Sequence, residues 1–124
     1  MNNICITGRL TANPEIKTTT SGVPVCSLGV AVDRDYKVNG EKVTDFIPCV
    51  FWRGTAEFVE KYFNKGDMIA LVGSLESRKW EDKKGNKRIS WEVKVDKVNF
   101  CGKKSEDKPD NNEFSEFNPD DLPF

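Results

Sequence analysis

The sequence contains no histidine, and its four cysteines include no C-x-x-C pair. Structural zinc sites and thioredoxin-like redox sites depend on those residues and spacings, so the sequence predicts neither. No apolar run approaches the roughly 20 residues that span a bilayer. Residues 1–3 lead directly into a strand pattern, without the layout of a signal peptide. These absences predict a cytoplasmic protein with no membrane span, no metal and no cofactor.

The remaining chemistry does not suggest catalysis. Without histidine or a metal cluster, an enzyme would need carboxylates, a lysine or a thiol, and no pair of these stands at a usable spacing. Cys26 and Cys49 lie in apolar strand patterns, where reduced cysteine behaves as a small hydrophobic residue. We therefore predict a protein that is not an enzyme and whose cysteines are core thiols rather than disulfides.

The charge changes sign along the chain. Residues 1–104 carry 18 Lys and Arg against 13 Asp and Glu, whereas residues 105–124 carry one Lys against seven acids. The first segment is long enough for one core but not for two. The second is too poor in hydrophobic residues to offset its ordering entropy. We predict one basic domain over 1–104 and a disordered acidic tail over 105–124.

The tail ends in the sequence N-P-D-D-L-P-F. A hydrophobic hole rimmed by Lys or Arg would accept the last ring, and its cations would pair with the acids and the terminal carboxylate, which is a recurring mode of peptide recognition. A solvated tail that maintains solubility is the alternative. The candidate docking tip comprises Asp120, Asp121, Leu122, Pro123 and Phe124.

Hydrophobic periodicity predicts an all-β domain with one helix. Period-two alternation indicates five strands, around residues 4–10, 26–32, 43–52, 69–75 and 89–100. Helical spacing over 56–63, with Gly66 as a C-cap glycine, predicts one short helix between the third and fourth strands. Asn39-Gly40 and residues 83–86 predict turns, and residues 17–20 form a connection or a short paired segment. This order favours the OB-fold, a five-stranded Greek-key barrel.

Aromatic placement on the third strand carries the functional prediction. Phe46 and Trp52 are six residues apart and share one face, while Ile47, Cys49 and Phe51 occupy the other. The second set suits the core, so the first points outward, where exposed rings can stack on unpaired bases. The alternative is that Phe46 and Trp52 cover a second apolar layer or a subunit interface.

Two hairpins flank this strand: a basic one over 77–88, and one at residues 33–37 in which two acids dilute the charge of Arg34 and Lys37 beside Tyr36. The last hairpin surrounds a Gly-Asn turn with six cations and one tryptophan, which together can follow a phosphate backbone and stack on a base. The alternative is a solvated hairpin with its tryptophan folded onto its own strands. Trp91 is in phase with Val93 and Val95, which predicts core or interface packing. The candidate DNA-binding residues are Arg34, Tyr36, Phe46, Trp52, Arg53, Arg78, Lys79, Trp80, Lys84 and Lys87.

Several segments, taken in order, resemble bacterial and phage single-stranded DNA-binding proteins. The opening strand N-I-C-I-T-G-R-L, the central strand D-F-I-P-C-V-F-W-R and the tip D-D-L-P-F are all similar to that family. Shorter matches are Pro14-Glu15, Val32-Asp33-Arg34, Ala56-Glu57, Lys65-Gly66, Gly73-Ser74-Leu75 and Arg78-Lys79-Trp80. The resemblance covers essentially the whole chain.

The resemblance implies an OB-fold subunit of a homotetramer that binds single-stranded DNA without sequence preference during replication, recombination and repair. It implies base stacking by Tyr36, Phe46, Trp52 and Trp80, and recruitment of DNA-processing proteins by the tip. Pro48 stands where the family usually has a backbone donor, and Trp91 replaces a smaller residue. The alternatives are an RNA-binding OB-fold protein, which the acidic tip disfavours, and a protein-interaction barrel, which the basic hairpin disfavours.

Overall fold

The computed structural model describes residues 1–101, and the predicted tail lies outside the described residues. The elements are β1 (Ile4–Leu10), β2 (Lys17–Thr18), β3 (Pro24–Val38), β4 (Glu41–Trp52), α1 (Gly54–Tyr62), β5 (Met68–Glu81) and β6 (Lys87–Phe100). The predicted order of three strands, one helix and two strands is confirmed, and the short paired segment is the two-residue strand β2. No helix among residues 1–101 is long and apolar enough to cross a membrane.

The strands close into a barrel. Their order in the sheet is β1-β5-β6-β4-β3-β2, and β1 pairs with β3 as well as with β5. All pairings are antiparallel except that of β4 with β6. Closure through β1 makes a five-stranded barrel, with β2 added at the edge of β3. The OB-fold prediction is therefore confirmed.

Two glycines make this closure possible. A Cβ atom added at Gly8 would lie 2.4 Å from the carbonyl oxygen of Ala31, and one added at Gly73 would lie 2.1 Å from the carbonyl oxygen of Lys94. Gly73 also lies at a register shift between β5 and β6. A glycine within a strand commonly marks such a bulge, where another backbone approaches closely.

The core fills the barrel and the space beneath the helix. Alternating strand residues point inward, and α1 adds Ala56 and Val59, which are fully buried. Phe63 and Phe100 stack with their ring centroids 5.4 Å apart. The most buried large side chains are Phe51, Ile69, Leu71, Val30, Val59, Val93 and Val98.

The prediction of core thiols is confirmed for Cys26 and Cys49, but it is wrong for Cys5, which is exposed, and for Cys101, which is only half-buried. All four cysteines are free, and Cys26 and Cys49 are buried in the core. Burial raises the pKa of the Cys26 thiol and raises the pKa of Cys49 to about 12, because the thiolate would lose its hydration. Both therefore remain neutral thiols at physiological pH.

The turns agree with the sequence except at the end of the helix. Asn39 and Gly40 both have positive φ and join β3 to β4 as a two-residue hairpin. The prediction that Gly66 caps α1 is wrong, because the chain leaves the helix through an extended Phe63. Gly66, with φ of 88°, turns the chain toward β5 and donates its N–H to the carbonyl oxygen of Leu10.

Pro48 is accommodated within a continuous ladder. It lies opposite Gly29 in the pairing of β3 with β4, which shows no register shift at this point. The pairing of β4 with β6 starts one residue later, at Cys49. A proline is tolerated where its nitrogen is not needed as a donor, and this position at the edge of the β6 contact meets that condition.

Trp91 is not a core residue. It keeps the predicted phase with Val93 and Val95, which are buried, but 56% of its surface is exposed. Residues 76–81 of β5 and 87–91 of β6 extend past the end of the barrel, so this face has no opposite wall to cover it. The core interpretation of Trp91 is therefore wrong.

Candidate nucleic-acid interface

Two hairpin arms project from the same end of the barrel. The β3–β4 arm runs to the turn at Asn39-Gly40, and the β5–β6 arm runs to the loop over 82–86. Because β4 and β6 are parallel, their N-terminal ends, and therefore both turns, lie at one end of the sheet. The outer face of β4 lies between the two arms.

The outer face of β4 carries the two predicted aromatic residues. Phe46 is 70% exposed and Trp52 is 38% exposed, whereas Cys49 and Phe51 are buried. The assignment of inner and outer faces to this strand is confirmed. Val50, between the two rings, is also buried, so the outer face has an apolar floor rather than a polar one.

Trp80 extends this outer face onto the β5–β6 arm. Lys94 of β6 pairs with both β4 and β5, and it lies on the same face as the outward residues of β4. Strand alternation along β5 then places Arg78 and Trp80 on that face as well. The indole Nε1 of Trp80 donates to Ser90 Oγ at 2.7 Å, while 44% of the side chain stays exposed. The hydrogen bond fixes the indole edge and leaves part of the ring accessible.

Asp82 organises the loop at the tip of this arm. Its carboxylate accepts the N–H groups of Lys84 and Asn86 and pairs with Arg88 at 3.2 Å. These donors lower the pKa of Asp82, the Asn86 N–H most strongly. The Asp82 N–H donates to the carbonyl oxygen of Asn86, so residues 83–85 form a three-residue hairpin loop, and Gly85 has the positive φ that its bulge requires. The negative charge of Asp82 is thus compensated locally, and the side chains of Lys83 and Lys84 are exposed.

On the other arm, Arg34 is held by its neighbours. Its guanidinium donates to both carboxylate oxygens of Asp45, at 2.9 and 3.1 Å, and to the Tyr36 hydroxyl at 3.0 Å. It also lies 5.9 Å from the Tyr36 ring centroid. The pKa of Asp45 is lowered by this guanidinium. Arg34 therefore positions an exposed Tyr36 more than it offers an unpaired charge.

Asp33 makes a second set of contacts between β3 and β4 at the base of the same arm. Asp33 accepts the Thr44 hydroxyl at 2.6 Å and faces Lys42 Nζ at 3.4 Å. The Thr44 hydrogen bond is the largest cause of the lowered pKa of Asp33. The register of β3 and β4 shifts between Asp33 and Lys37, which gives β3 extra residues at Arg34 to Tyr36. The bulge allows Arg34 to reach Tyr36 and Asp45 together.

The described part of the chain matches the single-strand binding protein family over residues 1–101. The chain belongs to this family. A single-stranded DNA-binding protein of Caldanaerobacter subterraneus subsp. tengcongensis is 36% identical, over 100% of this chain and 99% of the relative. One from Clostridium tetani is 35% identical, over 100% of this chain and 86% of the relative. Single-stranded DNA-binding protein 1 of Lactococcus lactis subsp. lactis is 40% identical, over 77% of this chain and 65% of the relative.

Membership of the single-strand binding protein family confirms the resemblance seen in the sequence. It supports single-stranded DNA binding, and it confirms that the chain is not an enzyme. Family membership agrees with the exposed aromatic residues on the outer face. Within residues 1–101, no group of histidine, cysteine or acidic residues could hold a metal ion.

The structure brings only part of the predicted set together. Phe46, Trp52 and Trp80 are exposed and, by strand alternation, lie on the outer face of the sheet. Arg53 follows Trp52 as the N-cap residue of α1. Lys79 and Lys87 alternate to the opposite face of the β5–β6 arm from Arg78 and Trp80. The basic cluster of this arm is thus split between two faces.

Three positioning residues were missed in the sequence. Ser90 holds Trp80, Asp45 holds Arg34, and Asp82 holds the loop. Asp82 had a signal, because an aspartate before a Lys-Lys-Gly turn commonly accepts the N–H two residues on. Ser90 and Asp45 depend on cross-strand register, which the sequence does not provide.

Proposed function

We propose that this protein binds single-stranded DNA across the outer face of β4 and the two arms, without sequence preference. The observation that carries the proposal is the exposure of Phe46, Trp52 and Trp80 on one outer surface of a protein that belongs to the single-strand binding family. Exposed aromatic rings next to flexible cations suit unpaired bases, because every base presents a π-face.

Each arm contributes one aromatic ring that a hydrogen bond holds in place. Tyr36 and Trp80 are held at their polar edges by Arg34 and Ser90, so their rings are oriented before a ligand arrives. Pre-ordered side chains lose less entropy on binding. Arg53, Arg78 and Lys84 supply positive charge for phosphates at this outer surface, whereas Lys79 and Lys87 lie on the opposite face of the β5–β6 arm. Counterion release then makes the affinity fall as salt rises.

Fluorescence titration tests this proposal. Full-length protein is titrated with oligo-dT, oligo-U and duplex DNA of equal length at two salt concentrations. We expect saturable quenching by oligo-dT, weaker affinity at higher salt and much weaker binding of the duplex. Tighter binding of oligo-U than of oligo-dT would favour the RNA-binding alternative. Equal affinity for duplex and single strand would falsify the proposed function.

The assembly proposed is a homotetramer in the cytoplasm. A chain of 124 residues offers one outer face, and several subunits would allow a longer strand to be wrapped. Light scattering of the protein at micromolar concentration, with and without oligo-dT, tests the assembly. A tetramer in both conditions supports the proposal, whereas a monomer in both contradicts it.

The acidic segment over 105–124 is proposed as a docking segment beside the DNA-binding domain over 1–104. Its tip, with two acids and a terminal phenylalanine, suits a hydrophobic pocket rimmed by cations on proteins of replication, recombination and repair. Deletion of Phe124 alone should abolish recovery of such proteins from bacterial extract. Double substitution of Asp120→Asn and Asp121→Asn should weaken it in a salt-dependent way. Equal recovery by full-length and Phe124-deleted protein would leave the segment only a solubilising role.

A further inference from the structure

The β5–β6 arm has two open faces. Among residues 1–101, β5 pairs with β1 only over 68–73, and β6 pairs with β4 only over 93–95. Beyond those pairings the arm is a two-stranded ribbon with solvent on both sides. Trp80 lies on one face, and the opposite face, which continues the inner surface of the barrel, carries Trp91.

This opposite face has the composition of a binding surface rather than of a solvated ribbon. Trp91 and Ile89 are 56% and 58% exposed, and they follow each other at alternate positions of β6. Leu75, at the base of the ribbon, is also exposed on this face. A two-stranded ribbon gains little stability from apolar groups that nothing covers, so these groups point to a binding partner.

Cations accompany the exposed ring. Lys79 lies opposite Ile89 and is therefore a diagonal neighbour of Trp91, and Lys87 follows at the next position on the same face. Neither lysine is engaged in an ion pair within residues 1–101. Glu81, opposite Lys87, is the acid of this face. The face therefore carries an exposed indole beside two cations with one acid at its end.

We propose that Trp91, with Lys79 and Lys87, forms a second base-stacking site for single-stranded nucleic acid, on the face of the arm opposite Trp80. The charge complementarity with phosphate favours a polyanion over a second copy of the same basic face. A strand that crosses the ribbon can then place bases on both of its faces. This inference rests on the proposed function and extends it to a surface that the outer-face site does not include.

Single-tryptophan protein tests the site directly. The chain has three tryptophans, so the variant with Trp52→Phe and Trp80→Phe reports on Trp91 alone while it keeps aromatic rings at both outer positions. Oligo-dT should quench the fluorescence of Trp91 saturably, and added salt should reverse the quenching. A matched variant with Trp52→Phe and Trp91→Phe reports on Trp80 as a positive control for DNA binding.

Affinity measurements separate stacking from other roles. Trp91→Leu keeps an apolar side chain and should weaken oligo-dT binding about fivefold or more, the effect of one lost stack, whereas Trp91→Phe should retain most of the affinity. The melting temperature should not change in either variant, because the ring is exposed. Lys79→Gln with Lys87→Gln should reduce the salt dependence of binding.

The outcomes distinguish this inference from the proposed function. If Trp80 is quenched by oligo-dT while Trp91 fluorescence and Trp91→Leu affinity are unaffected, the second site is wrong and the outer-face site stands. If Trp91→Leu changes the oligomeric state and not the affinity, the face is an interface between copies, which also overturns the inference. If the wild-type protein does not bind oligo-dT, the proposed function fails together with it.

Discussion

The barrel and its arms use the same strand alternation with opposite results. In the barrel, inward residues such as Phe51 and Val93 meet the opposite wall and are fully buried. In the β5–β6 arm the same inward phase continues to Trp91, but the wall has ended and the ring is exposed. Burial in this fold therefore depends on where a residue lies along the strand as well as on which face it occupies.

This difference separates stability from binding. The barrel holds the hydrophobic core, while exposed aromatic residues and most of the cations that could contact a ligand lie on the outer face and the arms. Substitutions in the barrel should lower the free energy of unfolding, and substitutions on the arms should change affinity instead.

Phe51 and Phe46 provide the largest contrast, because they are five residues apart on one strand and point to opposite faces. Phe51→Ala should lower the free energy of unfolding by about 3 to 5 kcal/mol, since it empties a packed core position. Phe46→Ala should change stability little and weaken oligo-dT binding by about 1 to 3 kcal/mol. Urea unfolding and fluorescence titration of both variants check this, and equal losses of stability would contradict the assignment of the two faces.

Gly73→Ala tests the closure of the barrel. The new Cβ would meet the carbonyl oxygen of Lys94, which is backbone and cannot move aside. We expect a loss of about 1 to 3 kcal/mol of unfolding free energy, the usual cost of overpacking. Gly54→Ala is the matched control, because a Cβ there meets nothing within 4 Å. Similar melting temperatures for the two variants would show that the bulge at Gly73 tolerates a side chain.

Trp80 and Ser90 test whether the arm orients its ring. Trp80→Ala should weaken oligo-dT binding by about 1 to 3 kcal/mol. Ser90→Ala keeps the ring but removes its hydrogen-bond acceptor, so the loss should be smaller, about 0.5 to 1.5 kcal/mol. Neither should shift the melting temperature as Phe51→Ala does. If Ser90→Ala binds as tightly as wild type, the hydrogen bond does not contribute to orientation.

The charges of the two arms should differ in their effect on salt dependence. Lys84→Gln should reduce the slope of log affinity against log salt by about 0.7, the value for one phosphate contact on a single strand. Neutral replacement of the other arm's ion pair, Arg34→Gln with Asp45→Asn, should leave the slope unchanged, because the pair carries no net charge. A slope reduced by the double substitution would show that Arg34 leaves Asp45 to contact phosphate.

Acid titration should give the smallest effect. The folded-state pKa values of Asp33, Asp45 and Asp82 lie below the usual 3.8. Their contribution to stability is therefore fully present above that value and is lost as the pH falls through the lower folded values. Asp33 and Asp45 are about half exposed, and Asp82 lies in a surface loop with 20% of its side chain exposed. Because solvent screens these surface interactions, we expect only a shallow decline in melting temperature below about pH 4. Substitution of all three aspartates by Asn should remove this decline in melting temperature. An unchanged acid transition in that variant would contradict the assignment of the decline to these three carboxylates.

The sequence predicts the barrel well because its signals are local. Alternation on the third strand assigns Phe46 and Phe51 to the correct faces, and Asn39-Gly40 predicts a hairpin with positive φ that the structure contains. The order of elements along the chain, with one helix between the third and fourth strands, then favours the OB-fold.

The errors and omissions have a common cause, since they depend on partners distant in the chain. Trp91 has the phase of a core residue, but the end of the opposite wall is not encoded in its own neighbourhood. Gly66 resembles a helix cap in the sequence, but in the structure its N–H donates to the carbonyl oxygen of Leu10, which lies 56 positions earlier in the chain. The role of Arg34 likewise depends on the register that brings Asp45 beside it.

Closure of the barrel through β1 also determines where this protein could aggregate. A strand with unpaired backbone groups can recruit another chain, and a closed barrel presents few such edges. Among residues 1–101, the arms keep long stretches without a second neighbour, and Arg78, Lys79, Lys87 and Arg88 flank those of the β5–β6 arm. Charged side chains on an exposed edge discourage pairing with another edge. We therefore expect that neutralising these cations would cost solubility as well as affinity.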